Sequence, residues 1–412
     1  MKYSNANAHF SSQLKYSLLL SLKSILLFLM SCTSDSHSQT EPIQQLDSEL
    51  MEVKVAASRL SEYLHYLEGK KVAIVANQTS LINDKHLVDT LLLLDVDVTK
   101  VFAPEHGFRG SADAGEEVKD NLDAKTGLPI ISLYGKNKKP NSDQLEDIDI
   151  VIFDIQDVGV RFYTYISTLH YIMEACAENN KELIVLDRPN PNANYVDGPV
   201  LDTNFRSFVG MHPIPIIYGM TIGEMANMIQ GERWIAQKVD LKIISMENYS
   251  HQVQYDLPVP PSPNLRTKPS VWLYPSLCLF EGTVVSVGRG TDKPFEQFGH
   301  PAFPDTLYSF TPKPSYGASS PKLKDEICYG YILSEDGLSR PQHFDLSHLK
   351  IAVKFLNGKE FINNKRFFNL LAGNERLADQ LTSGMSEKDI RASWEPELSE
   401  FKKLRMKYLL YD

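Results

Sequence analysis

The sequence predicts an α/β fold, in which a doubly wound, mainly parallel sheet is followed by a smaller C-terminal α+β subdomain. Near-continuous apolar runs recur between residues 71 and 186, and runs of this length are typical of parallel strands that are covered on both faces. Amphipathic stretches with the length of crossover helices separate them, as βαβ units require. After residue 245, clustered prolines and a glycine-rich stretch replace this alternation, which indicates a change of architecture.

The predicted strands occupy residues 71–76, 96–102, 130–134, 148–153 and 183–186. Residues 86–94 and 163–179 have the spacing of amphipathic helices, and residues 389–394 and 397–411 predict two terminal helices. A chain of 412 residues is too long for one core, because single cores stop growing near ~250–300 residues. We therefore expect one subdomain at residues 51–245 and a smaller one at residues 246–412 that closes a cleft against it.

The N-terminal residues predict export. Residues 1–31 resemble a secretory signal, since lysines precede and interrupt an apolar stretch that runs into Ser31-Cys32. The ending Leu29-Met30-Ser31-Cys32 resembles the lipobox of bacterial lipoproteins, which implies that Cys32 is lipidated; a plain signal peptide with an incidental cysteine is the alternative. Residues 32–50 are polar and predict a flexible tether. We therefore expect a protein of the cell envelope that is held at a membrane by lipid.

Composition and motifs argue against several kinds of ligand. The net charge of −10 argues against nucleic acid, whose phosphates require a basic surface. Neither a G-x-G-x-x-G after the first strand nor a G-x-x-x-x-G-K-[ST] occurs, so no nucleotide is expected. The other cysteines lack metal-site spacing and predict buried thiols; they are Cys176, Cys278 and Cys328. The sequence thus calls for neither a cofactor nor a metal.

Polar residues follow the predicted strands where each strand ends. In open α/β sheets, ligands bind beyond the carboxyl ends of the strands, so polar residues in these successive loops indicate one site. The members that we expect to contact a ligand are Asn77, His106, Arg109, Asp187, Arg188 and Asn190.

Glu105 is the strongest candidate for chemistry. It follows a strand and a proline, precedes His106-Gly107, and lies four residues before Arg109. A general acid needs such a constrained place, where burial raises the pKa of a carboxyl group toward neutrality. The alternative is that Glu105 only forms a salt bridge with Arg109.

A second carboxylate is required if the reaction is glycoside hydrolysis. It would lie ~5–5.5 Å from the acid as a nucleophile, or ~6.5–9.5 Å away if it activates a water. Asp123, Glu116 and Asp157 compete for this role. Any single acidic residue in a long surface loop can equally be a solvated side chain.

Arginines and aromatic residues indicate a surface for a sugar and a carboxylate. Arg161 and Tyr163 follow the fourth strand, although Tyr163 could equally belong to a helix core. Asn264 follows the proline cluster, and Glu281 and Arg289 lie on turns that glycine permits. Arg289 stands between two glycines and is hard to explain by packing, which favours a ligand contact.

Several motifs in a fixed order resemble the exo-β-N-acetylmuramidases of the NamZ type. They are residues 102–110 (FAPEHGFRG), 153–159 (FDIQDVG), 186–191 (LDRPNP), 218–224 (YGMTIGE) and 281–283 (EGT). The resemblance covers residues 69–411, nearly all of the expected mature chain. It implies a Rossmann-like N-terminal subdomain, a smaller C-terminal one, and an active site in the cleft between them.

The resemblance also implies the reaction, which is release of N-acetylmuramic acid from the non-reducing ends of peptidoglycan fragments. Glu105 matches the glutamate of the family's Pro-Glu-His-Gly motif and takes the role of the acid, while Glu224 lies in a further motif and is a candidate for substrate binding. The second carboxylate is not placed by any motif, and retention or inversion of the anomeric centre stays open.

Two other classes are weighed against this glycosidase. One is a non-catalytic peptidoglycan-binding lipoprotein, which would not need carboxylates at the ends of strands. The other is a different cell-wall hydrolase, such as a deacetylase or esterase. The absence of G-x-S-x-G and of H-x-x-H or H-E-x-x-H spacing in the sequence argues against this second class.

Overall fold

The computed structural model describes residues 52–109, 121–334, 337–357 and 360–412. The expected signal, the tether and Cys32 therefore lie outside the described residues, as does Glu116. The strands are β1 Val72–Ala76, β2 Leu81–Ile82, β3 Lys85–His86, β4 Val98–Ala103, β5 Asn121–Leu122, β6 Pro129–Ser132, β7 Ile150–Asp154, β8 Glu182–Leu186, β9 Asp240–Ile244, β10 Gln297–His300, β11 Tyr308–Phe310 and β12 Cys328–Ile332.

The α-helices are α1 Leu87–Leu93, α2 Ser142–Leu145, α3 Tyr165–Glu178, α4 Ile222–Gly231, α5 Lys268–Leu277, α6 Ser347–Phe355, α7 Lys365–Ala372, α8 Arg376–Thr382, α9 Glu387–Ala392 and α10 Glu395–Arg405. Short 3-10 turns lie at Ala56–Ser58, Leu60–Glu62, Leu64–Tyr66, Thr203–Phe205 and Cys278–Gly282. Among the described helices, none is both long enough and apolar enough to cross a membrane.

The main sheet confirms the predicted α/β class. In the described residues it has seven strands in the order β5-β6-β4-β1-β7-β8-β9, and only the β5–β6 pair is antiparallel. Side chains alternate between its two faces: Ala73 and Val75 of β1 belong to one apolar cluster, and Val72 and Ile74 belong to the other. Both faces are therefore covered, which explains why the parallel strands read as continuous apolar runs.

The predicted strands correspond to β1, β4, β6, β7 and β8, and the first two predicted helices correspond to α1 and α3. The sequence missed β9, because it is an edge strand whose polar Asp240 and Lys242 interrupt the apolar run. The last predicted helix is too long, since α10 ends at Arg405. Beyond it, the Leu410 amide donates to Glu224 Oε1 at 2.7 Å instead of continuing the helix.

The later part of the chain forms an antiparallel sheet, β10-β12-β11, together with α5 to α10. One apolar cluster runs from residues of the main sheet into α7 and α8, so both parts share a core. The turn at Cys278–Gly282 packs directly on α7: a Cβ at Gly282 would lie 2.7 Å from Phe368 Cα. Only glycine allows this close approach, which brings the neighbouring Glu281 against the main-sheet loops.

Candidate functional site

A cavity of about 250 Å³ lies between the loops at the carboxyl edge of the main sheet and the later part of the chain. Residues from both parts line it. From the main-sheet part come Glu105, His106, Tyr134, Phe162, Tyr163, Thr164, Tyr165, Phe208 and Val209, and from the later part come Ser262, Leu265, Tyr274, Cys278, Glu281, Arg289, Phe295, Phe367 and Leu371.

Glu105 is placed by a tight turn that follows β4. His106 and Gly107 both have left-handed backbones, with φ of 71° and 76°, and the Gly107 amide donates to the Pro104 carbonyl at 3.0 Å. A left-handed backbone is strained for a histidine, and such strain is found chiefly at functional sites. The half-buried Glu105 accepts a hydrogen bond from Thr164 Oγ1 at 3.0 Å. Burial and the neighbouring Glu105 raise the pKa of Tyr134, so this phenol stays protonated as a second donor.

Arg109 does not point at Glu105 but at Asp123. Its Nε and Nη2 donate to the two carboxylate oxygens of Asp123 at 3.1 and 2.7 Å, and Asp89 lies 3.5 Å from Nη2. Burial alone would raise the pKa of Asp123, but the hydrogen bonds from Arg109 and Thr126 lower it to about 2. Asp123 is therefore an ionised partner of Arg109, outside the residues that line the cavity.

Asp157 is buried behind the cavity. Its Oδ2 accepts hydrogen bonds from the Tyr218 hydroxyl and from the Gly159 amide, the latter at 2.7 Å. Its Oδ1 has no hydrogen-bond partner among the described residues. Burial raises the pKa of Asp157 to about 6, although these donors act in the opposite direction. Asp157 is not among the residues that line the cavity, so the structure does not bring it to Glu105.

Glu281 is the other carboxylate that the described residues place in the cavity with Glu105. Arg289 Nε donates to Glu281 Oε1 at 2.9 Å, and the Arg289 guanidinium lies 4.9 Å from the ring centre of Phe295. Burial alone would raise the pKa of Glu281, but the charges of Arg289 and Lys322 outweigh it and lower the pKa below its ordinary value. Glu281 is therefore an ionised group at neutral pH.

Lys322 holds the turn that carries Glu281. Its Nζ donates to the carbonyls of Phe280 at 2.9 Å and Thr283. A cation at the end of a helical turn stabilises carbonyl groups that lack partners within the turn. Lys322 also lines a second cavity of about 450 Å³, which shares Glu281 and Arg289 with the first. The ion pair therefore stands between two adjoining spaces.

Tyrosines from both parts of the chain line the cavity together. Tyr163 donates its hydroxyl to the Pro261 carbonyl at 2.7 Å, and Asn77 donates to the Tyr165 hydroxyl at 2.9 Å. Tyr274 packs edge-on against Tyr163, with ring centres 5.9 Å apart. The proline-rich segment is therefore bonded to Tyr163, which lines the cavity, and Asn77 holds the hydroxyl of Tyr165, which also lines it.

The structure does not place Arg161 where a ligand contact was predicted. It is fully buried, and its guanidinium donates to the carbonyls of Pro199, Ile214 and Leu371 at 2.7, 2.8 and 2.9 Å. The first two carbonyls belong to the main-sheet part and the third to α7. Arg161 therefore joins the two parts of the chain and does not reach the cavity.

The remaining predicted contacts form a buried network away from the cavity. Arg188 donates to both oxygens of Asp154, at 2.6 and 2.8 Å. Asp187 accepts from the hydroxyls of Thr221 and Tyr411, each at 2.7 Å, and burial raises its pKa to about 7.

Glu224 caps α4 and accepts the Leu410 amide, while Asn190 donates to the Met220 carbonyl at 2.8 Å. Asn264 donates at 2.6 Å to the carbonyl of Gly317, which lines the second cavity. These side chains position loops and the C-terminal residues, so their part in the site is indirect.

Sequence reasoning assigned no role to several residues at the two cavities, among them Tyr134, Thr164, Tyr274 and Lys322. Tyr134 ends the predicted strand at residues 130–134 and Thr164 follows the one at residues 148–153, and this position was the available signal. Tyr274 and Lys322 carry no comparable signal, because each reaches its place through packing of the later part of the chain.

Comparisons with known proteins identify the family to which the two parts of the chain are similar. Residues 72–269 match the family model described as exo-β-N-acetylmuramidase NamZ, N-terminal, and residues 272–411 match the corresponding C-terminal model. The chain is 41% identical over 377 residues to the peptidoglycan β-N-acetylmuramidase NamZ of Bacillus subtilis, a match that covers 85% of this chain and 89% of that protein.

Two crystal structures of DUF1343 family proteins from Bacteroides fragilis are also similar. One has 42% identity and a TM-score of 0.80, and covers 88% of this chain and 99% of its own. The other has 30% identity and a TM-score of 0.75, and covers 87% of this chain and 99% of its own.

Proposed function

Because the chain belongs to the NamZ family of exo-β-N-acetylmuramidases, we propose that it releases N-acetylmuramic acid from the non-reducing ends of peptidoglycan fragments. The observation that carries the proposal is the presence of Glu105 and Glu281 in one cavity, contributed by different parts of the chain. Most glycoside hydrolases use two such carboxyl groups. The relatives and this pair favour a glycosidase over a deacetylase or a non-catalytic wall-binding protein.

We assign different roles to the two carboxyl groups. Glu105 matches the glutamate of the family's Pro-Glu-His-Gly motif and takes the role of the general acid, while the hydroxyl groups of Thr164 and Tyr134 hold its carboxyl group in place. It gives its proton to the departing glycosidic oxygen as the bond from C1 to that oxygen breaks. The ionised Glu281 stabilises the positive charge that develops on the sugar ring. Water then supplies a hydroxyl group to C1, and its remaining proton restores Glu105.

The size of the cavity supports exo action. Its volume of about 250 Å³ is below the roughly 300–1,000 Å³ of pockets that enclose drug-sized ligands. This space suits one sugar residue, and the adjoining second cavity of about 450 Å³ has room for the next part of the fragment. We therefore expect the terminal residue to enter the cavity while the rest of the fragment stays outside.

Arg289 has the position to select the sugar. Only its Nε is engaged by Glu281 among the described residues, and its side chain keeps a quarter of its surface exposed. Its two terminal nitrogens form a planar fork, which matches the geometry of a carboxylate. The lactyl carboxylate of N-acetylmuramic acid is the group that N-acetylglucosamine lacks, so this fork favours the former sugar.

Glu105→Gln and Glu281→Gln test the assignment on two substrates, the disaccharide of N-acetylmuramic acid and N-acetylglucosamine and an aryl N-acetylmuraminide. Loss of a general acid costs ~10²–10⁴-fold when the leaving group is poor, and the loss shrinks for an activated aryl group. We expect Glu105→Gln to show this difference, and Glu281→Gln to be impaired on both substrates. Glu68→Gln, on an exposed carboxylate, is the control.

A wild-type rate for Glu105→Gln on the disaccharide would remove Glu105 from catalysis. Equal losses on both substrates would make Glu105 the nucleophile or base, with another group as the acid.

We also propose that Cys32 carries a lipid and holds the enzyme in the cell envelope. The support is the lipobox-like Leu29-Met30-Ser31-Cys32 after an apolar run, followed by a polar tether. The several acyl chains of a lipoprotein hold a membrane firmly, whereas one chain holds it weakly.

A further inference from the structure

A further cavity, separate from the two described above, lies where α4 ends and the chain turns toward β9. It is a groove of about 820 Å³ that we call the α4 groove, with residues 407–410 as its other wall. Strand β8 runs toward the end of the strands at which Glu105 lies. The crossover helix α4 connects β8 to the parallel strand β9, so it runs back toward the other end of the strands. With ten residues, α4 is roughly 15 Å long. The α4 groove therefore lies near the amino ends of the parallel strands, whereas Glu105 lies at their carboxyl ends.

Cations without partners line the α4 groove. They are Arg233, Lys238 and Lys407, and none of their side chains forms a hydrogen bond or ion pair within the described part of the chain. The described residues that line it include no acidic one, although the chain as a whole has a net charge of −10. The nearby Glu232 already accepts the Tyr408 hydroxyl. Such a local excess of positive charge attracts anions.

The backbone of Arg233 points to a function for its side chain. Arg233 follows the C-cap residue of α4 and has a φ of 55°, in the left-handed region. Glycine or asparagine is favoured at this position of a helix end, because a larger side chain is strained there. The Arg233 side chain has no hydrogen-bond or ion-pair partner within the described residues, so no contact of the fold explains why an arginine stands at this position. A contact with a ligand explains why this position carries a guanidinium.

The carboxamide side chains of the α4 groove indicate which kind of anion it binds. Asn227, Gln230 and Gln237 line the same groove, and Gln230 Oε1 accepts from the Val239 amide at 3.0 Å. Carboxamides both donate and accept, as peptide groups require, whereas a phosphate polymer needs donors only. We propose that the α4 groove binds an acidic peptide through its carboxylates and peptide groups. That this peptide belongs to the cell wall rests on the proposed function.

Arg233→Gly tests the proposal without endangering the fold, because glycine is favoured at this backbone. The probe is the tripeptide L-alanyl-γ-D-glutamyl-meso-diaminopimelate, titrated into the purified protein by calorimetry. We expect binding by the wild type, about tenfold or greater weakening by Arg233→Gly, and further loss in the triple variant with Lys238→Gln and Lys407→Gln. The melting temperature of Arg233→Gly is expected to be unchanged or higher.

The matched control is Lys388→Gln, which removes an exposed lysine of α9 that likewise has no partner within the described residues. It should bind the tripeptide as the wild type does. Hydrolysis of the aryl N-acetylmuraminide should be the same in all variants, so failure of this hydrolysis in the wild type would count against the proposed function and not against the α4 groove.

Three results would overturn the proposal. One is unchanged affinity in the triple variant. Another is equal binding of the tripeptide after its carboxylates are amidated. The last is binding to phosphatidylglycerol vesicles in place of the tripeptide, which would make the α4 groove a membrane contact.

Discussion

The sequence placed Asp157 among the catalytic candidates, and the variant Asp157→Asn tests whether this residue affects the stability of the fold or the rate of hydrolysis. The pKa of Asp157 is raised by burial from its ordinary 3.8 to about 6. A group whose folded pKa is raised stabilises the fold while it is protonated, and this contribution is lost as the pH rises through about 6. At 1.36 kcal/mol for each unit by which the pKa is raised, the loss amounts to about 3 kcal/mol and is complete by pH 7.5.

Asparagine keeps the oxygen that accepts from Tyr218 and Gly159, and its amide nitrogen replaces Oδ1, which has no partner among the described residues. We therefore expect Asp157→Asn to raise the free energy of unfolding by up to about 3 kcal/mol at pH 7.5 and hardly at all near pH 4. Guanidinium unfolding at both values measures it. Asp123→Asn is the control of opposite sign, because the ionised Asp123 stabilises the fold through Arg109.

The same Asp157→Asn protein should hydrolyse the disaccharide at a rate close to wild type, because Asp157 does not line the cavity. A loss of ~10²-fold or more with an unchanged KM would refute the reasoning and return Asp157 to the catalytic pair. Equal stability of both proteins at pH 7.5 would show that the burial of Asp157 is not costly.

Further predictions concern Arg289, Arg161 and Cys32. Arg289→Ala should lower the preference for aryl glycosides of N-acetylmuramic acid over those of N-acetylglucosamine by about thirtyfold or more, since loss of a buried Arg–carboxylate contact costs ~2 kcal/mol or more; an unchanged ratio of kcat/KM values would place selectivity elsewhere. Arg161→Met should lower the free energy of unfolding by on the order of 3 kcal/mol, because three carbonyls lose their donor, whereas changed sugar selectivity at wild-type stability would make Arg161 a ligand contact. Cys32→Ala should move the protein from the membrane fraction to the soluble fraction, and equal recovery of both forms as soluble protein would contradict lipid anchoring.

Much of the fold could be predicted because local patterns report burial directly. The continuous apolar run at residues 71–76 predicts a strand that is buried on both faces of its sheet, whatever its position in the fold. The turn at Glu105 could be predicted as well, because a strand end, a proline and a glycine constrain the backbone of the residues next to them. The strand β9 was missed because an edge strand is covered less, and its polar residues hide the pattern.

What the sequence determined by itself is therefore the parallel sheet, the edge at which the site lies, and Glu105 within that site. The tertiary structure alone decided which charges meet. Arg109 and Glu105 are four residues apart, yet Arg109 pairs with Asp123; Arg161 binds the carbonyl of Leu371, which is 210 residues away. Glu281 lines the same cavity as Glu105, and the turn that carries it packs on α7 at Gly282. The partner of a charge depends on which distant elements pack around it, and local patterns carry no information about that.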